Sequence, residues 1–164
     1  MKVRIRKLND NAIVPTRGSA GAAGYDLYAC IGETNITPIE PGETVKIGTG
    51  IAIAIPHNSF GAVFARSGLA TKRGLRPAIC VGVIDEDYRG EVIVALQNDS
   101  DEVQYIHNGD RIAQLVIIPY VNFDLNVVEA LDDTERGAGG FGSTGESDAD
   151  AAQISFFDIL GIEK

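Results

Sequence analysis

The chain has 164 residues, 45% of them apolar, which is enough for one domain with a substantial core. Its 14 Lys and Arg against 23 Asp and Glu give a net charge of −9, which argues against general nucleic-acid binding because phosphate backbones demand a basic surface. Apolar runs are as short as Ile51–Ile55 and the basic start MKVRIRKLND lacks a signal peptide's apolar stretch, so no membrane span is expected and the expected location is the cytoplasm.

Period-two alternation dominates from the start, with Val3 and Ile5 set between Lys2, Arg4 and Arg6. In Ala23-Gly24-Tyr25-Asp26-Leu27 an acidic residue sits beside Gly24 and bulky strand formers. That is either a turn or one piece of a site. Cys30 and Cys80 are too few for a disulfide framework or a zinc site, and their apolar neighbours predict buried, reduced thiols. His57 and His107 lie beside turn residues and are expected in surface loops without chemistry.

Pro38 and Pro41-Gly42 mark turns. Val45, Ile47, Ile51, Ile53 and Ile55 then share one parity, and Pro56-His57-Asn58 closes that run. Phe60–Ala65 reads as a strand, followed by Arg66-Ser67-Gly68 and a short helix over Leu69–Arg73. A helix start beside an arginine and a hydroxyl suits a phosphate, although Ser67 serves equally well as a helix cap.

The run Gly82-Val83-Ile84-Asp85-Glu86-Asp87-Tyr88-Arg89-Gly90 reads as a solvated hairpin turn, or as a site with Asp85 at the turn's buried edge. There a carboxylate can act as general base towards water, and Tyr88 can supply a flat apolar wall. Strands are predicted at Glu91–Gln97, Glu102–Ile106 and Arg111–Ile118, with turns at Asn98-Asp99 and Asn108-Gly109. Gln114, the uncharged polar group of its strand, needs partners, either a neighbouring backbone group or a ligand. A last strand is predicted at Asn126–Ala130.

Beyond Ala130 the chain turns acidic and glycine-rich. It divides into a β domain over 1–130, a mobile glycine-rich segment over 131–145 and an extension over 146–164. In RGAGGFGSTG (136–145) the glycines let backbone N–H groups approach an anion, Phe141 offers a ring for stacking, and Ser143 and Thr144 offer hydroxyls. The segment is a plain linker or a flap. Many short strands with regular turns predict an all-β fold, a jelly-roll or β-clip type of sandwich.

Taken together, AGYDLYA (23–29), ARSGLA (65–70), GVIDEDYRG (82–90), GDRIAQ (109–114) and RGAGGFGSTG (136–145) resemble, in order and spacing, the five motifs of the trimeric dUTP diphosphatase (dUTPase) family. The resemblance implies hydrolysis of dUTP to dUMP and pyrophosphate assisted by Mg²⁺, which keeps dUTP low and supplies dUMP for thymidylate synthesis. It makes Asp85 the general base that activates water for attack on the α-phosphorus. Tyr88 packs under the deoxyribose and leaves no room for a 2′-hydroxyl. Arg66, Ser67 and Gln114 contact phosphate, with Gly68 beside them. Ile79 holds a position that contacts uracil, and Gly82 and Val83 are substrate-binding positions. Asp26 meets the hydrated metal through water, the substrate phosphates being the direct ligands. In the tail, Arg136 reaches the γ-phosphate, Phe141 stacks on uracil, Ser143 and Thr144 bind phosphate oxygens, and Gly142 is a further substrate-binding position. A homotrimer with shared active sites follows.

Ile79 departs from the family, which often has asparagine there. That position contacts uracil largely through its backbone, so the bonds are expected to persist while the turn loses an amide. Two rivals are a dCTP deaminase relative, which lacks the pairing of Asp85 with Tyr88, and a catalytically weak nucleotide-binding regulator of the same fold, against which an intact Asp85 speaks. After the acidic spacer, Gln153-Ile154-Ser155-Phe156-Phe157 resembles the peptides by which bacterial proteins dock on the DNA sliding clamp; its alternative is packing on the protein's own trimer.

Overall fold

The computed structural model describes residues 2–140, in two units that meet at Phe123 and Asp124. Unit 1 is all-β apart from one short helix: β1 (Arg4–Lys7), β2 (Tyr25–Tyr28), β3 (Ile36–Ile39), β4 (Thr44–Gly48), β5 (Ile51–Ala54), β6 (Ser59–Phe64), α1 (Ser67–Arg73), β7 (Leu75–Pro77), β8 (Gly82–Ile84), β9 (Ile93–Asn98), β10 (Gln104–His107) and β11 (Arg111–Pro119). All pairings are antiparallel, in sheets ordered β2-β11-β6-β8 and β4-β9-β7 and in the two-stranded pairs β1-β5 and β10-β3. This is a jelly-roll-like sandwich, in which consecutive strands switch sheets rather than pair as hairpins.

Alternation decides which side chains enter the core. In β9 the buried residues are Val94, Leu96 and Asn98, every second position, and Leu27, Ile39, Ile51, Leu75, Ile106 and Ile112 are also sealed from solvent. Burying a side chain of this size contributes about 1.5–3 kcal/mol each. The polar core residue Asn98 is fully partnered, donating to the carbonyls of Ile39 (2.9 Å) and Glu102 (2.8 Å) and accepting from Ser100 (2.7 Å).

The alternating run 45–55 breaks in two at Thr49-Gly50. Gly50 has φ 65°, and a Cβ there would stand 2.8 Å from both the Cys30 sulfur and the Ala12 Cβ. The chain therefore turns at Gly50, β4 joining β9 and β5 joining β1. Asn108-Gly109 is likewise a passage between sheets and not a hairpin turn, since β10 pairs with β3 while β11 pairs with β2 and β6.

Two further expectations are corrected. Cys80 is exposed and Cys30 only half-buried, because Cys80 lies between β7 and β8 where Ile79 and Val81 also face outward. Burial still pushes the Cys30 thiol up, with the Glu91 carboxylate adding to the shift. The strand expected at 126–130 does not form: that segment pairs with nothing among the described residues. In unit 2 the described part, 124–140, holds a turn in which the N–H of Gly137 donates to the Thr134 carbonyl (3.0 Å). No described helix is long and apolar enough to cross a membrane.

Candidate active site

The run 79–88 forms a cavity of about 260 Å³ whose walls include Val63, Ile79, Gly82, Val83, Asp85 and Tyr88. Its shape follows from β8, three residues at the edge of the four-stranded sheet, paired on one side only through Gly61–Ile84, Ala62–Val83 and Val63–Gly82. Ile84 points into the core, so Val83 is turned outward, 61% exposed, beside Ile79 at 60%. Asp85 follows directly and is exposed, not buried at the edge of the turn, because the ladder ends at Ile84. Tyr88 closes one wall, its ring held by the hydroxyl donating to the Glu91 carbonyl (3.0 Å). The cavity thus pairs apolar walls with two acidic residues, Asp85 and Glu91, of which Glu91 is engaged by the Gly50 N–H (2.7 Å), a lining suited to a flat organic ring and a water-activating base.

A second cluster forms around β11. In its ladders Gln114 faces Asp26 of β2 on one side and Phe64 of β6 on the other. Asp26 is therefore a strand residue and not part of a turn. Its carboxylate, 14% exposed, accepts from Arg66 Nε (2.8 Å) and from Arg111 Nη1 (3.3 Å), while Arg66 Nη1 also reaches the Arg111 carbonyl (3.2 Å). A buried carboxylate needs such partners, and charge-assisted bonds of this kind are about twice as strong as neutral ones. Gln114 Nε2 donates to the Ala65 carbonyl (2.8 Å), and its Oε1 crowds Gly24, where a Cβ would stand 2.7 Å away.

Arg66, extended at φ −88° and ψ 126°, is the residue that caps α1, without a side-chain bond; Ser67 is the first helical residue and not the cap. The first helical N–H groups to find a partner are those of Leu69 and Ala70, both donating to the Arg66 carbonyl (3.1 and 3.0 Å). The N–H groups of Ser67 and Gly68 precede these bonds, and the space over Gly68 is open. Two arginines paired to the Asp26 carboxylate thus lie next to the start of α1, with its hydroxyl and N–H groups, donors of the kind that can take up phosphate oxygens.

The two clusters do not meet within one chain. Ile84 faces Gly61, which sets Asp85 beside Phe60 at one end of β6, whereas Arg66 lies just past the other end. From 60 to 66 the extended chain advances roughly 20 Å at ~3.3 Å per residue, farther than a triphosphate's short run of P–O bonds. In unit 2, Arg136 turns back on its own segment, its Nε donating to the Gly139 carbonyl (2.9 Å). Phe141, Gly142, Ser143 and Thr144, and the Gln153–Phe157 stretch, lie outside the described residues.

No three His, Cys, Asp or Glu side chains converge among the described residues, so they offer no protein cage for a cation. A Mg²⁺ held chiefly by substrate phosphates needs none. Asp26 fits the outer role: its two guanidinium bonds occupy part of the ~4 acceptor sites of a carboxylate, which leaves lone pairs for a metal-bound water.

Three residues that sequence reasoning left unassigned stand out. Arg111 is the second guanidinium on Asp26. Glu86 and Glu91 fasten the Asp85 loop to the body of the protein, Glu86 accepting from the Asn58 N–H (2.7 Å) and His57 Nδ1 (3.1 Å), and Glu91 from the Gly50 N–H (2.7 Å). The His57 hydrogen bond, followed by the Asn58 N–H, holds the Glu86 carboxyl below the usual carboxylate range. Each pairing joins residues at least 28 positions apart, which no local pattern reveals.

Among known proteins, the dUTPase family model matches residues 10–145. The deoxyuridine 5′-triphosphate nucleotidohydrolase of Desulfitobacterium hafniense is 53% identical over 135 residues, covering 82% of this chain and 88% of the relative. The human mitochondrial enzyme of the same name is 48% identical over 147 residues, covering 90% of this chain and 56% of its own length. The fold is similar to the dUTPase of Staphylococcus bacteriophage 80alpha with dUPNHPP, one of the phage dUTPases that control transfer of virulence genes (TM-score 0.75, 30% identity, 88% of this chain and 98% of the other). It is also similar to a mutant dUTPase from phage phi11 of S. aureus described with a structural Mg(II) ion (TM-score 0.69, 29% identity, 79% and 98%). The family model spans a stretch that holds every described site residue, and the bacterial relative matches at 53% identity over 88% of its length, which together carry one conclusion: the chain belongs to the dUTPase family.

Proposed function

We propose that this protein hydrolyses dUTP to dUMP and pyrophosphate, keeping dUTP low and supplying dUMP, in active sites shared between the subunits of a homotrimer. The observation that carries the reading is the cavity in which Ile79, Gly82, Val83, Asp85 and Tyr88 come together, largely apolar on its walls, with the Asp85 carboxylate at the end of β8 and Glu91 also in the lining. Asp85 accepts a proton from water and directs the resulting nucleophile at the α-phosphorus. Tyr88 packs its ring against the deoxyribose and excludes a 2′-hydroxyl. Arg66 and the N–H groups of Ser67 and Gly68 take up charge on the phosphates, and Gln114 helps to orient them. Asp26 holds the Arg66 guanidinium and offers a lone pair to a metal-bound water. Bound Mg²⁺ would supply charge neutralisation on the phosphate oxygens. In this reading Arg136, Phe141, Gly142, Ser143 and Thr144 close over the nucleotide and exclude bulk water.

Two features support sharing between subunits. The cavity, at about 260 Å³, falls below the ~300–1,000 Å³ typical of complete ligand sites, and the phosphate-type cluster lies at the far end of β6. The chain also leaves apolar residues exposed at the end of unit 1, Val121 and Phe123 (81% and 71%), and separately in unit 2, Leu125 and Val127 (88% and 96%), which a second copy would cover.

The test is pyrophosphate release with Mg²⁺ from dUTP, dCTP, dTTP and UTP in parallel. Release from dUTP alone, lowered roughly 10²–10⁴-fold in Asp85→Asn, is the expected result. Release from none of the four would overturn the enzymatic reading in favour of a binding or regulatory protein. Deamination of dCTP would identify the other activity known on a related fold.

A further inference from the structure

Resting on that reading, we propose that Glu86 is a positioning residue that fixes the Asp85 carboxylate by tying its loop to the turn that opens β6. The Asp85 loop is poorly restrained by strand pairing. β8 is three residues long at a sheet edge, and its ladder stops at Ile84. Several bonds shape the loop from within: the Tyr88 N–H to the Asp85 carbonyl (3.2 Å), and Arg89 Nη1 to the carbonyls of Glu86 (2.6 Å) and Tyr88 (2.8 Å). None of these fixes the loop to the rest of the fold.

Two side-chain carboxylates do so. Glu91 reaches the Gly50 N–H, six positions beyond Asp85, whereas Glu86 acts on the next residue. Its Oε2 accepts from the Asn58 N–H (2.7 Å) and its Oε1 pairs with His57 Nδ1 (3.1 Å). That turn is itself held firmly. Asn58 adopts φ 55°, its carbonyl accepts the Tyr120 N–H (3.1 Å), and Ser59 beside it pairs with Pro119 of β11. Asp85 is thus bracketed, by the Ile84–Gly61 pairing on one side and the Glu86–Asn58 bond on the other, both referred to the same end of β6. An attacking water needs a base placed to within a fraction of an ångström, and a 1 Å misplacement can cost ~10²-fold in rate.

The experiment measures steady-state dUTP hydrolysis and thermal unfolding for the wild-type protein, Asp85→Asn, Glu86→Ala, Glu86→Gln and Glu86→Asp. Glu86→Ala is expected to lower kcat roughly 10- to 100-fold with KM changed less than about twofold. Glu86→Gln, whose amide oxygen still accepts the Asn58 N–H, restores most of kcat. Glu86→Asp, one methylene too short to reach, falls in between and stands in for the alanine variant should that one fail to fold. An active wild type with Glu86→Ala or Glu86→Asp at wild-type kcat overturns this inference and leaves the functional reading intact. So does a loss that appears as a proportional rise in KM, or one that glutamine does not restore. A wild type that releases no pyrophosphate from dUTP overturns the functional reading and, with it, the inference.

Discussion

Tyr88 illustrates how much of the site a single residue can carry. Its ring stands in the cavity wall with the hydroxyl engaged by the Glu91 carbonyl, so the polar tip is already partnered within the chain. If that ring defines the space below the sugar, Tyr88→Ala opens room for a 2′-hydroxyl. The ratio of kcat/KM for dUTP to that for UTP is then expected to fall at least about tenfold, measured by pyrophosphate release from the two substrates separately. An unchanged ratio would remove Tyr88 from the specificity role. At this scale the sequence is most informative where the chemistry is local. Ile79 to Tyr88 lie within one short run, and chain continuity alone brings them to one cavity. The partners of Asp26 lie far along the chain at Arg66 and Arg111, and only the β2-β11-β6 register makes them neighbours. Glu86 escapes notice for a related reason. In a row of three carboxylates nothing local distinguishes the one that reaches a distant backbone N–H.

Among the elements, β6 has the most to coordinate. It pairs with β11 on one side and β8 on the other, leads at one end to Arg66, and starts from the turn that Glu86 grips. Gly61 lies where it faces Ile84, and a Cβ there would stand 2.9 Å from Ile55 Cδ1, 3.1 Å from Leu115 Cδ1 and 3.2 Å from Ile84 Cβ. Gly61→Ala therefore overpacks the core against the residue that precedes Asp85. Overpacking of this kind typically costs ~1–3 kcal/mol, so a lower midpoint in thermal unfolding is expected together with reduced kcat for dUTP. A variant that melts like the wild type would show that β8 is free to give way. The alternation of apolar residues reveals β6, β9, β10 and β11 because each has one face in the core. It does not reveal β7 or β8, which are three residues long and leave no room for a period to repeat. Nor does it reveal the break at Gly50, since Ile47 and Ile51 keep the same parity on either side while the chain changes sheet.

The molecule as a whole carries two separate groups of polar residues, a cavity that holds Asp85 and Tyr88 and a cluster of donors around Arg66, separated by the length of β6. The alternating pattern that predicts a strand near residue 126 is informative in the same sense. Period-two apolarity reports a face that must be covered, and within this chain nothing among the described residues covers Leu125 or Val127. Sequence periodicity does not distinguish a partner within the chain from one on another copy. In a closed homo-oligomer each interface repeats, so one subunit's cavity can be completed by the next subunit's arginines at every site.

Subunit mixing tests this claim most directly. Asp85→Asn and Arg66→Ala are prepared separately, each expected to be nearly inactive, then unfolded, mixed and refolded together alongside each variant refolded alone. The account predicts that only the mixture regains dUTP hydrolysis, since some of its sites take an intact Asp85 from one subunit and an intact Arg66 from another. A mixture shown to form hybrid oligomers, yet no more active than its components, would mean that base and guanidinium act from the same chain and would contradict it.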